Sequence, residues 1–452
     1  MSACGGSSGG ADSADDPVAV ADPGDPPAPA PPPSNPTPDP APEPDPDPAP
    51  EPDPAPEPDP TPPPTPPPAP SPPPEPDPTP APGNGEDPPP PPAPDPDPEP
   101  EPEPEPEPVA VDLSFCDRQI AVGDGTACVI QPSKTDAAIL DEHPLSDTDP
   151  NTEPDTGEGF GYHVVTFPPD VSPASPVHVH FGGTYTRPFD PDGRGLLPDP
   201  NGLHATVQLE EGLAAGYVVI QLAYANREAV NVVCARNRRV DNCAELIRRE
   251  KLFGEDLSDL SDVDAANSID YRLRALLAYL EANLPADVLP FSSASVMADG
   301  RFDWSTVRLG GHSQGAGHAF YLAKNVGTQH ACLLGGPFDV PDSVCPGCDE
   351  DIADWYQLDA QPGVYSLTPA ENLRGLTVAG DPINMAVQRA YGLMGISRDR
   401  RWIELHSGGF VDRGGASINA HAAAAKADEF SAVRARLCFS DELLQPGEFS
   451  DL

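Results

Sequence analysis

The first 110 residues contain no lysine and no arginine, although the whole chain carries 25 basic and 73 acidic residues. That segment holds 24 of the acids and 48 of the 69 prolines, so the remaining 342 residues keep 49 acids against 25 bases, a net charge of -24. Scarce positive charge in both parts argues against nucleic acid as a partner, because such binding rests on Lys and Arg neutralising phosphates. Long apolar runs are missing too: none approaches the roughly 18 residues of a membrane-spanning helix. Cys345-Pro-Gly-Cys348 has no companion pair at metal-ligand spacing, so no metal centre is expected, and the chemistry below requires no cofactor.

From Pro17 to Pro108 the chain reads PDPAPEPDPDPAPEPDPAPEPDP and similar, ending EPEPEPEP. Proline fixes φ and donates no backbone hydrogen bond, alternating carboxylates repel, and almost nothing apolar is present to bury. Residues 17–110 are therefore expected to be a disordered acidic linker, reaching at most about 280 Å at ~3.1 Å per residue. Residues 1–16 form a separate segment ahead of it. Its start, Met1-Ser2-Ala3-Cys4-Gly5, resembles the end of a bacterial lipoprotein signal. The resemblance implies that Met1 is internal to a longer precursor whose signal peptide precedes it, and that Cys4 is lipidated. Gly5 in place of Asp then implies an outer-membrane or cell-surface location, with the lipid as the sole membrane contact.

Cysteine usage points the same way. Apart from Cys4 there are eight, Cys116, Cys128, Cys234, Cys243, Cys332, Cys345, Cys348 and Cys438, an even number that suits disulfides in an oxidising compartment outside the cytosol. Cys234 and Cys243 flank the basic loop CARNRRVDNC and are the candidate pair; Cys345 and Cys348 are a second, tighter option.

Residues 111–452 alternate strand-like and helical stretches, which predicts one α/β domain with a mainly parallel sheet covered by helices. Strands are expected in GYHVVTF (161–167), VHVHFGG (177–183), YVVIQLAY (217–224), STVRLGG (305–311), HACLLGG (330–336), GLTVAG (375–380) and RWIELHS (401–407). Helices are expected in HATVQLEEGLAAG (204–216), in SIDYRLRALLAYLEANL (268–284), whose apolar residues share one face, and in QGAGHAFYLAKNV (314–326). Two stretches, about 227–266 and 340–372, interrupt the alternation and are expected as insertions walling the sheet's carboxyl edge, where ligands bind.

The pattern Gly-x-Ser-x-Gly occurs at Ser7, Ser8 and Ser313. Only Ser313 follows a strand and opens a helix, the strand–turn–helix context that exposes a nucleophilic hydroxyl. A serine in that position can also simply cap a helix. The run GHSQGAGHAFYLAK, with LLGGPFDVPD after it and AYANREAVNVVC and SIDYRLRALLAYL before it, resembles the α/β-hydrolase superfamily over essentially all of residues 111–452. It is similar, more narrowly, to a poorly characterised family of exported hydrolase-like proteins. In the superfamily the acid and the base follow the serine in chain order. The resemblance therefore implies Asp381, in LTVAGDPIN, as the acid, with Asp339, in GGPFDVPD, as the alternative, and His421, in INAHAAAA, as the base. His406 is expected to pack at a strand end, and His312 and His318 to be structural. Oxyanion donors are expected from Gly182, Gly183 and Thr184 on the FGGTYTRP loop and from the backbone amide of Gln314.

These residues imply an exported serine hydrolase acting on a small or polymeric ester through a Ser-His-Asp triad. A peptidase or amidase on the same scaffold, and an inactive surface-binding protein, are the alternatives. Substrate identity and oligomeric state are not legible in the sequence.

Overall fold

The computed structural model describes residues 111–141, 161–184, 186, 188–189, 206–286, 288–339, 353–398, 401–406, 409–412, 415–445 and 447–449. The expectations for residues 1–110, including Cys4, and for Cys345 and Cys348 lie outside them.

Among the described residues, nine strands form one sheet in the order β1-β2-β3-β5-β4-β6-β7-β8-β9. They are β1 Arg118–Val122, β2 Gly125–Ile130, β3 His163–Phe167, β4 Val177–Phe181, β5 Val218–Gln221, β6 Arg308–His312, β7 His330–Leu334, β8 Leu373–Val378 and β9 Trp402–Leu405. The six strands from β5 to β9 along the sheet are parallel, whereas β1, β2 and β3 pair antiparallel at one edge. The helices are α1 Pro132–Thr135, α2 Thr206–Ala214, α3 Val230–Arg236, α4 Cys243–Phe253, α5 Ile269–Asn283, α6 Gln314–Asn325, α7 Asn384–Leu393, α8 Ala420–Lys426 and α9 Ser431–Phe439. This is the α/β-hydrolase fold.

Parallel strands covered on both faces bury residues of both parities and are mostly apolar, and β4, β5, β6, β7 and β8 are buried at every position. Alternate residues feed opposite layers. Val179, Ile220, Leu309 and Leu333 join the cluster that includes Leu276, Leu277 and Phe320. Val164, Val219, Leu334 and Leu376 join the one that includes Leu209, Ala424 and Leu437. Burying each such side chain stabilises the fold by ~1.5–3 kcal/mol. Even the histidines on strands obey the pattern: His178 and His180 are buried on β4, and burial holds His180 down at about 4 and His178 well below the ordinary imidazole range.

The hairpin of β1 and β2 was not among the expected strands. Its turn, Gly123-Asp124, sits between two short runs with little apolar alternation, and Gly123 has φ 53°. Cys116 and Cys128 bridge the hairpin to the chain ahead of it, Cys234 and Cys243 join α3 to the start of α4, and Cys332 and Cys438 tie β7 to α9. The insertion at 227–266 contains α3 and α4. Among the described residues no helix is long and apolar enough to cross a membrane.

Candidate active site

Ser313 lies between β6 and α6 with φ 54° and ψ -118°, a positive φ that side-chain-bearing residues rarely adopt and that costs on the order of 1–3 kcal/mol. Neighbours hold it there. The Ser313 amide donates to the Leu334 carbonyl at 3.0 Å. Close packing demands glycine on both sides of the turn: a Cβ at Gly311 would lie 2.3 Å from the Gly315 carbonyl oxygen, and one at Gly315 would lie 2.1 Å from that of Phe181. The side chain of Ser313 does not cap α6. Its Oγ instead lies 2.8 Å from His421 Nε2.

His421 is the second residue of α8, a helix begun by Asn419, whose side chain accepts from the Ala422 amide at 2.8 Å. The other ring nitrogen, Nδ1, is 2.8 Å from Asp381 Oδ2. Asp381 follows β8 in a tight turn. Its second oxygen, Oδ1, accepts from the Ile383 amide at 3.0 Å, which fixes the carboxylate plane. The carboxylate is nearly buried, 3% exposed, while the His421 side chain is 28% exposed and faces the cavity. A carboxylate bound to Nδ1 sets the tautomer with the proton on Nδ1 and leaves Nε2 as an acceptor for the serine hydroxyl.

Asp339, the other acid considered, is elsewhere engaged. It follows β7 and takes two hydrogen bonds from Arg248 of α4, Nε to Oδ2 at 2.7 Å and Nη2 to Oδ1 at 2.6 Å, and a third from Trp355 Nε1 at 3.0 Å. Both partners of this ion pair are buried. The remaining guanidinium nitrogen, Nη1, donates to the Gln314 carbonyl at 3.3 Å and lies 3.5 Å from His318 Nδ1. Sequence gave no sign of Arg248, because the partner sits 91 residues away on an insertion helix.

The remaining histidines divide. His312 lies under the site with its ring 4.9 Å from that of His421 and its Nε2 2.9 Å from the His421 carbonyl oxygen. Burial, then the nearby His421, holds it well below the ordinary range, so it stays neutral. His318 is likewise buried and depressed. His406 does not pack: its side chain is 63% exposed beside Glu404, because the chain leaves the sheet there.

Gly182, Gly183 and Thr184 leave the end of β4 next to the serine. A Cβ built on Gly183 would lie 3.2 Å from Ser313 Cβ. The Thr184 hydroxyl donates to the Gln314 side chain at 3.3 Å, joining this loop to the first residue of α6. A cavity of about 590 Å³ opens over Ser313 and His421. Val230 and Val232 from the first insertion, Phe338 and Ile383 supply apolar wall, and Asn231 and Asn419 supply uncharged polar groups. None of the described residues of the second insertion lines it; Trp355 packs instead against Phe320 and Tyr321 of α6. Among the described residues no group of three His, Cys, Asp or Glu side chains is arranged to hold a metal ion.

No family model matches the chain, and no curated protein matches it in sequence. Solved structures that resemble it include an S-formylglutathione hydrolase from Agrobacterium tumefaciens, 14% identical, covering 66% of this chain and 90% of that one with a TM-score of 0.32. A thermostable carboxylesterase cloned from a metagenomic library is 15% identical, covering 70% and 95%, with a TM-score of 0.32. A ferulic acid esterase from Anaeromyces mucronatus is 13% identical, covering 62% and 85%, also with a TM-score of 0.32. At such scores it is the strand order and the parallel connections that carry the fold.

Proposed function

We propose that the protein is an exported serine hydrolase that cleaves carboxylic esters through an acyl-enzyme. The observation that carries this is the run of two 2.8 Å contacts from Ser313 Oγ to His421 and on to Asp381. Ser313 attacks the acyl carbon while His421 Nε2 takes its proton; Asp381 holds the imidazole and stabilises the imidazolium. The tetrahedral oxyanion is held by backbone amides of the Gly182 to Thr184 loop and of Gln314, each such donor being worth ~2.7–4 kcal/mol in a well-studied protease. His421 returns the proton to the departing alcohol. Water, deprotonated by the same nitrogen, then releases the acid and restores the serine.

The wall chemistry favours an uncharged substrate. The charged side chains among the described lining residues are Arg248 and Asp339, which neutralise each other, and Asp381, which belongs to the triad. A neutral ester with an apolar group of moderate size, free or on a polymer, fits this surface. The three cystines among the described residues accord with an oxidising compartment. A lipid on Cys4 completes the proposal, and Cys4→Ser should release the protein from membranes.

The test of function is a panel of short-chain aryl esters, polyesters, amides and lipids with the purified protein. Turnover of neutral aryl esters, abolished by Ser313→Ala, is expected. Amide cleavage in preference to esters would make it a peptidase or amidase, and inertness toward all of them would leave a binding protein.

A further inference from the structure

We propose that Tyr224 and Asn226 are positioning residues that aim the oxyanion loop at Ser313. The inference rests on the ester-hydrolase function proposed above. Strands β4 and β5 are parallel neighbours, with His180 opposite Gln221, so the chains leaving them run out of the carboxyl edge side by side. The segment after β5 clasps the segment after β4. The Tyr224 hydroxyl donates to the Gly182 carbonyl at 2.5 Å. Asn226 Nδ2 donates to the Gly183 carbonyl at 2.9 Å and to the Thr186 carbonyl at 2.5 Å. The Thr186 amide closes the turn by donating to the Gly183 carbonyl at 3.0 Å.

Peptide geometry turns these contacts into a statement about the amides. In a planar trans peptide the C=O and the following N–H point in opposite directions. With the Gly182 and Gly183 oxygens held by Tyr224 and Asn226, the N–H groups of Gly183 and Thr184 are directed to the opposite side. Those two amides are thereby singled out from the three loop residues as the donors, with Gly183 so close to the serine that a Cβ built on it would lie 3.2 Å from Ser313 Cβ. Gly182 contributes its carbonyl as an anchor point.

The clasp itself is buried and packed. Tyr224 is 1% exposed, with its ring edge-on to Phe181 at 6.1 Å and to His318 at 5.4 Å. Asn226 is also buried. Neither touches the Ser313, His421 or Asp381 side chains in any described hydrogen bond, so their influence on the reaction passes through the loop and, for Tyr224, also through its contact with the Gln314 side chain.

Isosteric variants separate this role from packing. Tyr224→Phe removes only the hydroxyl, and Asn226→Asp replaces the donating amide by an oxygen that repels both carbonyls. Losing one oxyanion donor costs about 10²- to 10³-fold, so a misdirected loop should lose a sizeable part of that. We expect kcat on an aryl ester to fall about 100-fold in Asn226→Asp and about 10-fold in Tyr224→Phe, with KM changed less than threefold. Affinity for an aryl boronic acid, which forms a tetrahedral adduct on the serine, should fall in parallel, while affinity for the planar product acid holds. Wild-type kcat and boronate affinity in folded Tyr224→Phe and Asn226→Asp would overturn the inference. So would losses confined to KM or to thermal stability. Should Asn226→Asp fail to fold, Tyr224→Phe decides alone. A wild-type protein that turns over no ester overturns the function proposed above and this inference with it; an active wild type with indifferent variants overturns the inference only.

Discussion

The loops after β7 and β8 start at the same sheet edge, one strand apart, and each delivers an aspartate to the same cavity. Asp339 meets Arg248 and Trp355; Asp381 meets His421 and the Ile383 amide. One carboxylate is locked into a buried ion pair, where strong charge-assisted bonds hold α4 to the loop after β7. The other has one oxygen fixed and one turned to a base that is partly open to the cavity. Position in the fold makes either a candidate acid, and the partner decides which one can act.

Removing one charge from each loop separates them most sharply. Asp381→Asn should keep the fold and lower kcat/KM on an aryl ester by about 10³- to 10⁴-fold, since the amide cannot hold the required histidine tautomer. Asp339→Asn should instead leave Arg248 buried without its counter-charge, a loss of roughly 3–5 kcal/mol in chemical denaturation. Activity per folded molecule should fall less than tenfold. Equal activity losses in the two variants would erase the distinction.

Burial also acts on histidine beneath the site, and acid titration exposes it. His180, held down at about 4 chiefly by burial and then by the Arg434 charge, is neutral in the fold but titrates near its ordinary 6.5 when unfolded. Between those values the unfolded chain binds the extra proton, so its contribution is complete above 6.5 and is lost as pH falls toward 4. The loss is about 3 kcal/mol. His180→Gln should flatten the stability–pH curve across that window relative to wild type. An unchanged slope would mean that the ring is already protonated in the fold.

A smaller effect tests whether the Arg248–Asp339 pair acts independently of the nearby cystine at the start of α4. Replacing Cys234 and Cys243 by serine opens a short loop and should cost about 2–3 kcal/mol. If the two features are independent, this loss adds to that of Asp339→Asn in the triple variant; a clear shortfall would show them to be coupled.

Much of this arrangement was legible in the chain because local pattern encodes it. The Gly311–Ser313–Gly315 turn follows from a buried strand running into a helix, and the strands from 161 onward follow from continuous apolar runs. Chain order brought Asp381 and His421 into view but left Asp339 open, since no local pattern reports that Arg248 lies against it. Tyr224 and Asn226 were hidden for the same reason: their partners are carbonyls on a neighbouring strand's exit, and a carbonyl leaves no mark in sequence. The β1–β2 hairpin escaped because its runs are short and half exposed. His406, expected to pack, is exposed because β9 ends before it reaches cover.

The most direct measurement is reaction of the purified, oxidised protein with a fluorophosphonate probe, followed by peptide mapping. One label per chain is predicted, on the Ser313 peptide, with labelling lost in Ser313→Ala and slowed by orders of magnitude in His421→Ala. A folded wild type that takes no label, or takes it at another residue, would contradict Ser313 as the nucleophile.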